Sequence, residues 1–112
     1  MSDIAKGRAE FETGRWSKAY SLFQRVVADS ETDGTPKRTV QEVKVLMAHC
    51  LLQMGEPDRA EGELLDVREQ LSEADRELLR RFEATWREME DTKRLTRAEL
   101  EARRAKANAE KN

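Results

Sequence analysis

Two stretches of this 112-residue chain repeat each other at a fixed offset, and that repetition narrows the possible folds more than any other feature. Gly7, Phe11, Gly14, Trp16, Ala19, Phe23 and Val26 are answered 41 positions later by Ala48, Leu52, Gly55, Pro57, Ala60, Leu64 and Val67. Intervals of three and four residues put apolar side chains on one face of a helix. The glycine in each stretch sits where a left-handed residue ends one helix before the next begins. Each stretch therefore reads as helix–turn–helix. Repeated helical hairpins stack into α-helical arrays, which mostly bind other proteins and rarely do chemistry.

Composition agrees with an all-α chain. Charged residues make up 39% and aromatics 5%, so the core has to be aliphatic and the surface densely charged. Two prolines and five glycines leave long uninterrupted helical windows. No apolar run reaches the roughly 18–20 residues of a membrane span. The opening MSDIAKGRAEFETG lacks the apolar stretch of a signal peptide. Cys50 is the lone cysteine, which excludes an intramolecular disulfide and makes a reducing cytoplasm the expected compartment. Residues 1–91 carry 14 basic and 20 acidic side chains, whereas residues 92–112 carry 7 and 3, so the chain ends in a basic segment.

Five helices are predicted. The first spans about Asp3–Thr13 and the second about Trp16–Ala28. Asp29–Pro36 (DSETDGTP) reads as a loop, with Thr35 capping the third helix and Pro36 in its first turn. The third helix, about Pro36–Met54, is apolar nearly all round from Val43 onward, which places it at the centre. Gly55 ends it, and Pro57 opens a fourth helix reaching about Gln70. Ser72 and Asp75 suggest the start of the fifth. Leu78, Leu79, Phe82, Trp86 and Met89 give that helix its stripe. High helix propensity then continues it to about Ala109, with a second half that either projects into solvent or docks.

The two hairpins resemble the tetratricopeptide repeat family. The first hairpin nearly completes that consensus with Gly7, Phe11, Gly14, Trp16, Ala19 and Phe23. The second keeps Ala48, Gly55 and Ala60 but has Leu52, Pro57 and Leu64 at the aromatic positions. The resemblance implies antiparallel hairpins stacked as a short right-handed solenoid. The repeats would occupy about 3–28 and 37–70, with a capping helix from about 73. Residues 1–91 would then form the domain, and 92–112 a charged helical tail. The period of 41 exceeds the family's roughly 34 residues, and the extra seven are assigned to the Asp29–Pro36 loop and the start of the third helix.

The family binds peptides or helices on the face formed by the first helix of each repeat. Carried over, the candidate partner-binding residues are Ile4, Arg8, Phe11, Glu12, Val45, His49, Leu52 and Gln53. The lysine–asparagine clamp that some members use for a terminal carboxylate is absent at Ile4, Arg8, Val45 and His49. A groove of mixed apolar character suits an amphipathic helix or an extended apolar peptide. The competing reading is that Phe11, Val45 and Leu52 are core, covered by the fifth helix.

His49 and Cys50 are neighbours, but adjacent residues on a helix point about 100° apart. No further His or Cys completes a metal site, so no metal, cofactor or catalytic residue is expected. The expected function is a non-enzymatic adaptor. One alternative is a small secretion-type chaperone holding a helical subunit. Another is a nucleic-acid accessory protein acting through Lys93, Arg94, Arg97, Arg103, Arg104 and Lys106. That segment has no aromatics for base stacking and intersperses glutamates, so a solvated helix is the favoured reading. A homodimer through Leu78, Phe82, Thr85, Met89, Thr92 and Thr96, spaced like a coiled-coil seam, is a further possibility.

Overall fold

The turns after Phe11 and after Leu52 are the same turn, bond for bond. Gly14 and Gly55 both have φ of 76°. The Arg15 amide donates to the Glu10 carbonyl at 2.9 Å, and the Glu56 amide donates to the Leu51 carbonyl at 2.9 Å. The Gly14 amide reaches the Phe11 carbonyl, and the Gly55 amide the Leu52 carbonyl, both at 3.1 Å. This is the Schellman closure, which needs a left-handed residue after the helix and is strained for anything but glycine.

A computed structural model describes residues 2–110 and shows six helices and, among those residues, no strand. They are α1 (Asp3–Glu12), α2 (Trp16–Asp33), α3 (Lys37–Gln53), α4 (Pro57–Gln70), α5 (Arg76–Lys93) and α6 (Arg97–Glu110). Three-residue links fold α1 back on α2 and α3 back on α4 as antiparallel hairpins. The α3 helix is central and packs against α2, α4 and α5. Val43, Cys50, Leu51 and Leu52 on α3 are fully buried, joined by Phe23, Leu64, Val67, Leu78 and Met89 from its neighbours. The first hairpin closes tightly, because a Cβ on Gly7 would lie 2.5 Å from the Phe23 ring.

The structure corrects several expectations. The Asp29–Pro36 loop is mostly helix: α2 runs to Asp33, and only Gly34–Pro36 link it to α3. Ser30 and Thr32 turn their hydroxyls back to the carbonyls of Val27 and Asp29, so turn-forming residues are accommodated without ending the helix. The extra residues of the longer period thus lengthen helices instead of forming a loop. Thr35 does not cap α3; its amide donates to the Asp33 carboxylate at 2.9 Å, and Pro36 holds the cap position.

The fifth helix starts at Arg76, later than the expected 73, with Asp75 as its cap accepting from the Leu78 amide at 3.3 Å. There are six helices, not five, because the expected long helix breaks at Arg94–Thr96. A reciprocal capping box restarts it: Glu99 N donates to Thr96 Oγ1, and Thr96 N to Glu99 Oε1, both at 3.2 Å.

The α6 helix crosses the ends of the two hairpins. Arg103 Nη1 donates to the Leu52 carbonyl at 2.8 Å, a second donor to an oxygen that the Gly55 amide also reaches at the C-terminus of α3. At its other end Glu110 accepts from Ser17 N at 3.3 Å, placing a carboxylate at the N-terminus of α2. Both charges match the helix dipole they meet. Ala107 is 3% exposed in this contact.

Candidate functional site

The α1, α3 and α5 helices line a shallow groove. Two adjoining depressions of about 230 Å³ each share Phe11, Leu46 and Arg81. Val45, nearly buried at 3% exposure, forms part of the floor, and Ala84 and Thr85 line the α5 side. The α5 helix therefore stands beside α3 as a third wall and does not fill the space between α1 and α3.

Charged side chains tie the three walls together. Glu42 on α3 pairs with Arg8 from α1, with Arg38 at 2.6 Å, and with Arg81 from α5 at 3.7 Å. Arg38 reaches on to Asp75 at 2.8 Å. The hydrogen bond from Arg38, together with one from the Leu78 amide, holds the Asp75 carboxyl below the ordinary carboxylate range. At the other end His49 Nδ1 lies 2.9 Å from Glu88 on α5, and the His49 ring stands 5.2 Å from both Phe11 and Trp16. These contacts tie α5 to α3, against which it packs, and Arg8–Glu42 links α1 to the same cluster.

Of the residues expected on this face, Arg8, Phe11, Glu12, Val45 and His49 line the depressions. Ile4 is half-buried against the core beside them. Leu52 is fully buried and contributes packing, and Gln53 is half-buried outside the depressions. Glu42, Leu46, Arg81, Ala84, Thr85 and Glu88 were not anticipated. Glu42 and Leu46 extend the Val45–His49 stripe toward the N-terminus of α3, a signal present in the sequence. The α5 residues carry no such signal, because the 41-residue spacing does not continue into α5.

The basic residues near the C-terminus do not gather into one patch. Lys93 pairs with Glu61 at 2.7 Å, Arg94 with Asp91 at 3.9 Å and Arg97 with Glu101 at 3.4 Å. Arg103 is spent on Leu52, Arg104 borders Glu56 and Arg59, and Lys106 is exposed. The seam expected for a coiled coil is used inside the chain: Leu78, Phe82, Thr85, Met89 and Thr92 are all buried, and only Thr96 is exposed. Burial pushes the Cys50 thiol up to about 12, which leaves it no nucleophilic thiolate near neutrality. Among the described residues no cluster of His, Cys, Asp or Glu is arranged to hold a metal ion, and no helix is long and apolar enough to cross a membrane.

Two like hairpins followed by a further helix, with a groove along the first helices, define a helical-repeat protein of the kind that engages other proteins. The tetratricopeptide repeat family model matches residues 10–81, and the chain belongs to that family. Comparison with curated proteins gave no match, and comparison with solved structures gave none.

Proposed function

We propose that this chain is a non-enzymatic adaptor that takes a helix or peptide of a partner protein into the groove between α1, α3 and α5. The reading includes a right-handed stacking of the two hairpins and a cytoplasmic setting. One observation carries it: α5 adds a wall and leaves Phe11, Leu46 and the side of Val45 facing a depression. Apolar contact at Phe11 and Leu46 would supply affinity, and the polar rim of Arg8, Glu12, His49 and Arg81 would orient the bound segment. Ile4, Leu52 and Gln53 support this face from behind and beside it. The mixed charge of the rim suits an amphipathic helix, whose polar edge can meet both signs. We also propose that α6 belongs to the same folded unit as the hairpins.

The test is affinity capture from the native host with the wild-type chain and with Leu46→Arg. A partner retained by the wild type and lost by the variant, with helical content unchanged by circular dichroism, is the expected result. Equal capture by both would remove the groove from the account.

A further inference from the structure

A second surface lies on the far side of α5. The α2 and α4 helices each fold back along the helix before them, through glycine turns. The α5–α6 link, Arg94–Thr96, has no glycine, and α6 crosses the hairpin ends instead. The flank of α5 beside α4 therefore has no covering helix. It forms a groove of about 510 Å³ whose apolar lining is Leu71, Leu79, Phe82 and Trp86. Arg68 of α4 stands 4.5 Å over the Trp86 ring. Leu65, one turn before Arg68 on α4, is 42% exposed.

The charges along this flank select the occupant. Arg80, Glu83, Arg87 and Glu90 are exposed on one side of α5 at intervals of three, four and three. Their neighbours Glu77, Arg81, Glu88 and Lys93 are engaged in ion pairs, whereas these four form none among the described residues. Their signs run plus, minus, plus, minus, and the spacing is symmetric about position 85. A second α5 laid antiparallel about that position would set Arg80 opposite the partner's Glu90 and Glu83 opposite the partner's Arg87. The two-fold axis generates the same two pairs again. A helix carrying one sign of charge would meet like charge at every other site.

We propose that this flank joins two copies of the chain in an antiparallel α5–α5 dimer, with the Trp86 side chains close to the two-fold axis. The apolar lining supplies burial and the alternating charges fix direction and register. The partner groove on the opposite side of α5 stays open in such a dimer.

Sedimentation equilibrium on the full chain tests this. The wild type is expected to dimerise, with dissociation increasing with salt. Glu83→Arg and Arg87→Glu each create two like-charge contacts and are expected to raise the dissociation constant roughly tenfold or more. The double variant restores the pairing, and mixing the two single variants yields a heterodimer tighter than either homodimer. A wild type that stays monomeric at every concentration, as it would if the flank serves a different protein, overturns the proposal. So does a dimer whose dissociation constant is the same in all four forms.

Discussion

Arg103 caps the α3 helix through Leu52, a residue of its last turn. The guanidinium of a residue far along the chain donates at 2.8 Å to the Leu52 carbonyl, in the turn that closes the second hairpin. This contact makes the basic C-terminal segment part of the fold's electrostatics. Arg103→Ala is expected to cost about 1–2 kcal/mol, the range for a charge-assisted hydrogen bond to a helix C-terminus. Arg104→Ala, at an exposed neighbouring position, is expected to change stability by less than about 0.5 kcal/mol. Urea denaturation of the two variants measures the difference.

Gly14 and Gly55 share one backbone conformation but not one environment. A Cβ on Gly14 would meet nothing closer than Trp16 at 3.8 Å, while one on Gly55 would lie 2.3 Å from the Leu100 carbonyl of α6. Gly14→Ala is expected to cost about 1–2 kcal/mol from the left-handed backbone alone. Gly55→Ala is expected to cost more, because α6 must also shift. In a chain truncated after Asp91 the two substitutions are expected to cost the same, and equilibrium unfolding of the four proteins separates the two contributions.

Glu42 holds three helices through its pairs with Arg8, Arg38 and Arg81. Glu42→Gln keeps the shape and removes the charge. The expected loss is about 1 kcal/mol, since the arginines are about half exposed and solvent screens the pairs. The loss should shrink in high salt. Hydrogen exchange is expected to rise in α1 and at the start of α5 more than in α4, because the network anchors the groove walls.

Glu63 is half-buried, and desolvation raises its carboxyl above the ordinary range, with Lys44 acting in the opposite direction. A carboxyl whose folded-state pKa is raised binds its proton more tightly in the folded chain. Stability is therefore lost as pH climbs from the unfolded-state pKa to the folded-state one. Glu63→Gln is expected to be more stable than the wild type at neutral pH. The advantage should disappear as pH falls below the carboxylate range, which thermal melts across pH would follow.

The legible parts of this fold were those written in local chemistry. Gly14 and Gly55 marked both hairpin turns, and the apolar circumference of α3 marked the centre. The α2 helix was read too short because Ser30 and Thr32 favour turns; their hydroxyls bond within the helix, and no local pattern distinguishes the two outcomes. The break before α6 was missed: Thr96 and Glu99 form a capping box, but it is embedded in a window of high helix propensity that read as one continuous helix. The second role of Gly55, as the seat of Leu100, was not legible, because it exists only once α6 has crossed the hairpins. For the same reason Leu52 read as a groove residue although it is wholly buried, and Arg81 was passed over although it closes the groove.

The central claim is that the groove between α1, α3 and α5 is the partner-binding face. A photo-crosslinking phenylalanine analogue placed at position 46 in the groove, or at position 25 on the exposed face of α2, tests it most directly during capture from the native host. The expected result is a covalent adduct to a partner protein from position 46 and none from position 25. Adducts from position 25 with none from position 46 would contradict the account.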